Sequence, residues 1–349
     1  MESVDPRRLS VAVRCDALAA LGTGHVMRMI ALAEELVARG HRVAFFGRAD
    51  VAWVEPQLAR RSLALHDLGE DFAAQTVAWG ADAVVIDGYE IPRATGEGAR
   101  RRGLPVLALV DAGFGTHQDA DLYVDQNLGA TRPDGLEGRW IGGERYALLR
   151  DVVLRRRRPV SASGRSVPRA LVVFGGSDPF GGAPVAARLL LDTGLPVEIV
   201  AIAASEAVAA QLAALSCGAG QSVTVTAPVD DLPALAVTCD VAVSAAGSSV
   251  WELACLGIPT GLIEVVDNQR LGYEAATKEL CVGLGSLDEL RTVPGRMAAS
   301  SELAADRLLG DADARLDLAR CAQRLIDGDG RGRVADELER LARRCPVLV

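Results

Sequence analysis

The residues best able to do chemistry in this chain gather at three turns, each following an apolar run. Val11-Ala-Val-Arg-Cys-Asp16 leads into Leu21-Gly-Thr-Gly-His-Val-Met-Arg28. Glycine lets a backbone turn tightly and approach a ligand closely, which makes Gly22 and Gly24 candidate contacts. His25 falls where the next helix begins, at an end whose dipole favours anions. An imidazole there, beside a bound phosphate or sugar, suits general-base work. Taken alone, His25 fits a packing or capping role equally well, because Gly22-x-Gly24 lacks the third glycine of the dinucleotide fingerprint.

Two further turns suit anions. Phe174-Gly-Gly-Ser-Asp-Pro179 offers the Gly176 backbone and the Ser177 hydroxyl, as an anion nest or as a plain tight turn. In Asp240-Val-Ala-Val-Ser-Ala-Ala-Gly-Ser-Ser-Val-Trp-Glu252, an apolar run ends at Gly247, and Ser248 and Ser249 are N-cap candidates. Free amides, two hydroxyls and a helix dipole at one spot suit a diphosphate. Glu252 is spaced to accept from ribose hydroxyls, or to close a capping box on Ser249. Asn268 and Gln269, in Val266-Asp-Asn-Gln-Arg270, are placed to meet sugar hydroxyls; capping by Asp267 or Asn268 is the other reading.

Alternating strands and helices must position these turns. In the first half, strand-like runs span Leu9–Cys15, Arg42–Phe46, Ala83–Asp87, Pro105–Val110 and Leu122–Asp125. Helical patterns lie between them at Val26–Arg39, near Val54–Arg61, Phe72–Trp79 and Ala94–Arg102. The second half repeats the plan. Its strands are Ala170–Phe174, Val197–Ile202, Val223–Ala227, Val241–Ser244 and Thr260–Val265. Its helices are Gly182–Leu191, Val208–Leu215, Leu232–Val237, Ser249–Leu256 and Asn268–Leu280, with helical patterns from Ser300 onward. Such alternation predicts α/β domains with parallel sheets covered on both faces. Between the halves lies Arg155-Arg-Arg-Arg158 and a polar, proline-punctuated stretch. The expected organisation is a domain over 1–158, a linker at 159–168 and a domain over 169–349. The arginine run fits a solvated flank better than a phosphate clamp.

Composition narrows the function. The 349 residues suit two domains of ordinary size. A net charge of −9 argues against binding a nucleic-acid backbone, and 4% aromatics against stacking single-stranded bases. The seven cysteines, at 15, 217, 239, 255, 281, 321 and 345, show no metal-site spacing and no disulfide framework. No metal or other cofactor is expected. The reading is a cytoplasmic chain without a membrane span.

Five motifs in order carry a resemblance over roughly residues 9–285. They are Gly22-Thr-Gly-His25-x-x-Arg28, Asp125-Gln-Asn127, Phe174-Gly-Gly-Ser-Asp178, Gly247-Ser-Ser-x-Trp-Glu252 and Asp267-Asn-Gln269. Together they resemble the UDP-sugar hydrolase of pseudaminic acid biosynthesis and its spore-coat polysaccharide relatives (PseG/SpsG type) within the GT-B superfamily. The resemblance implies a GT-B fold, two doubly wound Rossmann-like domains facing across a cleft. It implies a metal-independent site with inversion at the anomeric carbon and His25 as general base. It puts the diphosphate at Gly176, Ser177 and Gly247–Ser249, ribose at Glu252, and Asn268 and Gln269 on sugar or diphosphate. It also makes Asp87, Tyr89 and Asn127 candidates on the acceptor or sugar side. On this reading neither Asp119-Ala-Asp121 nor Asp311-Ala-Asp313 is a metal motif.

Two departures fall in the first half. Relatives commonly have Asp-His-Tyr where this chain has Asp87-Gly88-Tyr89, and paired acids where it has Val110-Asp111-Ala112-Gly113. His117 could supply the missing imidazole, or be an exposed loop residue. The departures favour a glycosyltransferase moving sugar from a nucleotide diphosphate to a small acceptor. The alternatives are the hydrolase, with water as acceptor, an epimerase using Asp87, Glu90 or Asp111, and a non-catalytic nucleotide-sugar sensor.

Overall fold

The computed structural model describes residues 8–18, 24–111, 114–161, 164–176, 178–229 and 231–344, with Gly22 and Ser177 outside them. Chain contacts divide into two units, Met1–Asp151 with Gly328–Val349, and Val152–Asp327.

The first unit holds a sheet of β1 (Ser10–Cys15), β2 (Arg42–Phe46), β3 (Ala64–His66), β4 (Ala83–Asp87), β5 (Val106–Val110), β6 (Leu122–Asp125) and β7 (Arg139–Gly142). Its order is β3-β2-β1-β4-β5-β6-β7, and every pairing is parallel. The second holds β8 (Arg169–Val173), β9 (Val197–Ile202), β10 (Gln221–Thr226), β11 (Val241–Ala245), β12 (Thr260–Glu264) and β13 (Val282–Ser286). Its order is β10-β9-β8-β11-β12-β13, again all parallel. Central strands such as Ala-Val-Val-Ile in β4 and Val-Leu-Ala-Leu-Val in β5 are buried on both faces, which is why they read as unbroken apolar runs. The strand order reverses between β1 and β4 in one sheet and between β8 and β11 in the other. Open α/β sheets offer a ligand crevice at such points.

The helix Gly24–Ala38 follows β1. It buries Val26, Met29, Ile30, Ala33 and Leu36 at three- and four-residue spacing, and Gly40 ends it with φ +86°. That core also receives Val334, Ala335, Leu338, Leu341 and Ala342 of the last helix, Gly330–Arg344. Arg39 donates to Asp336 (2.6 Å) and Glu339 (3.1 Å), and Arg331 pairs with Glu34, Glu35 and Asp151. His41 accepts the Leu9 N–H at Nδ1 and donates from Nε2 to Glu339.

This packing corrects the expected domain limits. The last helix joins the first unit, not the second. An amphipathic pattern declares an apolar face, but not which core receives it. The boundary near 158 moves to Asp151/Val152. The arginine run belongs to the second unit: Arg156 ion-pairs with Asp231, and Arg157 donates to the Gln323 carbonyl at 3.0 Å. Among the described residues no helix is long and apolar enough to cross a membrane.

Candidate active site

In the first unit, side chains from four segments meet at the β1/β4 switch point. His25 and Arg28 stand three residues apart on one helix face, and Asp87 ends β4. His25 Nδ1 lies 2.8 Å from Asp87 Oδ1. Arg28 donates to both oxygens of the same carboxylate, from Nη2 to Oδ1 and from Nε to Oδ2, each at 2.6 Å. A carboxylate can only accept, so Nδ1 carries a proton. The 3.0 Å approach of Arg28 Nη2 to Nδ1 is therefore a contact between two donors. The Nε2 lone pair then belongs to the opposite edge of the ring, which makes no hydrogen bond among the described residues.

Asp87 is 1% exposed. Burial opposes its ionisation, but the Arg28 charge and hydrogen bonds from Arg28 and His25 outweigh it and hold the carboxyl well below its usual range. In this arrangement Asp87 accepts from His25 and Arg28 together. Both its oxygens are occupied, and it orients His25.

Asp111 follows β5 and extends the network. Its Oδ2 accepts from Arg28 Nη1 (3.2 Å) and the Tyr89 hydroxyl (2.9 Å), and its Oδ1 from Asn127 Nδ2 (3.1 Å). Burial, then the Asp111 charge, push the Tyr89 phenol above its ordinary range, so it stays a donor. Asp125, at the end of β6, accepts the Asn127 N–H at 2.9 Å. Burial raises its carboxyl to about 6, the Asn127 N–H opposing and the Asp111 charge adding to the rise.

Rings complete the site. Tyr89 meets His25 edge-on at 4.3 Å and 84°, and Phe114 lies 4.6 Å beyond Tyr89. His117 does not join them, because its Nε2 faces the Ile91 carbonyl. Gly88 has a local cause. A Cβ there would come within 2.9 Å of Cδ1 of the buried Ile91, so a histidine would force that side chain to move.

In the second unit, both candidate turns leave strands that flank the β8/β11 switch point. After β8, Gly175 takes φ +68°, and Gly175 and Gly176 are exposed. Buried Asp178 accepts the Gly182 N–H (2.7 Å) and the Ala183 N–H (3.0 Å). The start of helix Gly182–Leu191 is therefore filled by the chain's own carboxylate, and Gly175-Gly176 is the open segment of this turn.

The turn after β11 is built differently. Ser248 occupies the N-cap of helix Ser249–Leu256 with helical dihedrals, and its side chain caps nothing. Glu252 lies in that helix's first turn, half-buried. Gln269 Oε1 accepts the Val265 N–H at 3.0 Å. Its Nε2 comes within 3.9 Å of where a Gly247 Cβ would stand, so Gln269 and Gly247 share one corner. Asp267–Gln269 form a single 3₁₀ turn after Val266, without side-chain capping. Asn268 lies in that turn. A cavity of about 360 Å³ in this unit, lined by Arg165, Asp240, Gly257, Pro259 and Leu316 among others, sits at the opposite, N-terminal ends of β8, β11 and β12.

Four residues escaped the sequence reading as partners: Arg28, Asp111 as its second anchor, the plug Asp178, and Glu264. Glu264 is buried at the end of β12 and paired with Arg270 at 3.2 Å. The i,i+3 spacing of His25 and Arg28 was the one signal available beforehand.

No family model and no curated protein matches this chain. Solved structures do. Acinetobacter baumannii MurG is similar at 16% identity and a TM-score of 0.69, over 95% of this chain and 99% of its own. LpCGTa in complex with UDP matches at 15% and 0.64, over 96% and 99%. S. aureus MnaA, solved with UDP, matches at 12% and 0.63, over 96% and 97%. The likeness establishes the fold, an α/β architecture of two parallel-sheet units of the GT-B type.

Proposed function

We propose that this protein is a nucleotide-sugar-dependent glycosyltransferase that inverts the anomeric carbon, of the PseG/SpsG-like kind. The observation that carries the reading is the His25–Asp87 pair at the β1/β4 switch point, with Nδ1 protonated and Nε2 bonded to none of the described residues. Nε2 takes the proton from an acceptor O–H or N–H as that atom attacks C1. The bond from C1 to the diphosphate oxygen breaks, and the nucleoside diphosphate leaves with the electron pair. In the second unit, the uncapped Gly247-Ser248-Ser249 turn offers amides and hydroxyls to the charge growing on that leaving group. Gly176, Ser177, Asn268 and Gln269 serve the diphosphate and sugar, and Glu252 serves the ribose. Two of the similar structures hold UDP, which makes UDP the first nucleotide to try.

The test incubates the protein with a panel of UDP- and dTDP-sugars, with and without small acceptors, while following nucleoside diphosphate release. Acceptor-dependent release that persists in EDTA is expected. His25→Ala should lose turnover yet keep its affinity for the nucleoside diphosphate; unchanged turnover would overturn the base assignment. Release in water alone, with ¹⁸O from solvent entering the sugar, would identify the hydrolase instead.

A further inference from the structure

We propose, resting on the transferase reading, that the acceptor carries an aromatic ring which seats on Tyr89 and Phe114. In an inverting displacement the acceptor approaches C1 opposite the leaving group, so its body lies on the side of the base. A hydroxyl within hydrogen-bond reach of His25 brings the attached group near Tyr89, whose ring centre is 4.3 Å from the imidazole. Phe114 continues the surface 4.6 Å further on and is 48% exposed.

The Tyr89 ring and the Phe114 backbone are held before any ligand arrives. The Tyr89 hydroxyl is committed to Asp111 at 2.9 Å. Phe114 exchanges backbone hydrogen bonds with Asp111 at 2.9 and 3.0 Å. The next residue, Gly115, has φ +89° and is pressed so closely on the Leu109 carbonyl that a Cβ would not fit. A rigid aromatic surface loses little freedom on binding and favours tilted or edge-on rings.

Among the described residues, the two carboxylates nearest these rings already hold partners. Asp111 receives Arg28, Tyr89 and Asn127, and Asp87 receives His25 and Arg28. A flat hydrocarbon needs no polar partner there, and the exposed Phe114 ring offers it a face.

The probes are 2-naphthol and its saturated counterpart decahydro-2-naphthol, titrated calorimetrically into the full chain. Naphthol should bind about tenfold more tightly than the saturated alcohol, and Phe114→Ala should remove about tenfold of its affinity. Phe114→Tyr should retain naphthol binding, and UDP affinity should stay at the wild-type value in both variants. Phe114→Leu, which keeps apolar bulk without a ring, should resemble Phe114→Ala. Equal affinity for the two alcohols, or naphthol binding indifferent to Phe114→Ala, would overturn the proposal. So would UDP affinity falling in step with naphthol affinity, which would assign the ring to the nucleotide. Failure of the transferase reading looks different: naphthol binds as described, but no donor releases its nucleotide in an acceptor-dependent way.

Discussion

Asp125→Asn should make the first unit more stable at neutral pH and leave it nearly unchanged in acid. The Asp125 carboxyl is buried at the end of β6 and titrates near 6, against an ordinary 3.8. Between about pH 4 and 6 the folded state holds a proton that the unfolded chain has released. Stability therefore falls as pH rises through this window, and the contribution is fully present only below about 4. At about 1.36 kcal/mol per pH unit the total is about 3 kcal/mol. Asparagine keeps an oxygen for the Asn127 N–H, which Asp125 Oδ1 now accepts at 2.9 Å, and carries no charge to desolvate. Urea unfolding from pH 4 to 7.5, followed by tryptophan fluorescence, reads this directly, because Trp53, Trp79 and Trp140 all belong to the first unit and only Trp251 to the second. The two stability curves should meet near pH 4 and separate to about 3 kcal/mol by pH 7. Parallel curves would refute the argument.

Asp87→Asn must set its amide nitrogen against an Arg28 N–H, since Arg28 donates to both carboxylate oxygens. It should cost about 3 kcal/mol in urea unfolding and lower kcat at least about tenfold through loss of the oriented base, with nucleoside diphosphate affinity unchanged. Asp178→Ala strips the Gly182 and Ala183 amides of their acceptor. Losing this cap should cost about 2 kcal/mol, seen as faster hydrogen exchange at those amides. Gly330→Ala would drive a Cβ into the Ala147 backbone. Hydrogen exchange should then accelerate across 330–344 while the second unit keeps its wild-type protection.

The strands most legible in the sequence were the buried ones, and of the edge strands only β10, expected at Val223–Ala227, was legible. β1, β4, β5, β8, β11 and β12 declare themselves as apolar runs, and the glycine turns after β1, β8 and β11 mark the strand ends that matter. The edge strands β3, β7 and β13 did not. Ala-Leu-His, Arg-Trp-Ile-Gly and Val-Gly-Leu-Gly-Ser are short or glycine-broken, and pairing to a neighbour makes them strands. The same limit governs the site. His25 could be singled out because a histidine after a glycine turn is chemically conspicuous. Asp87 stands out only through the family resemblance, and only the fold brings Arg28 onto it from 59 residues away. Nothing in the sequence marks Asp178 as a plug: its φ is +37° and its carboxylate accepts from the start of its own helix.

The return of the last helix to the first unit has a consequence for biosynthesis. As the chain leaves the ribosome, β1 and the helix Gly24–Ala38 emerge early. The residues that finish their core, Val334, Leu338 and Leu341, are made only after the whole second unit. Until then part of the apolar core around that helix waits uncovered, the kind of surface chaperones bind. The second unit, continuous from Val152 to Asp327, can fold as soon as it has emerged. The unit translated first is thus the one completed last.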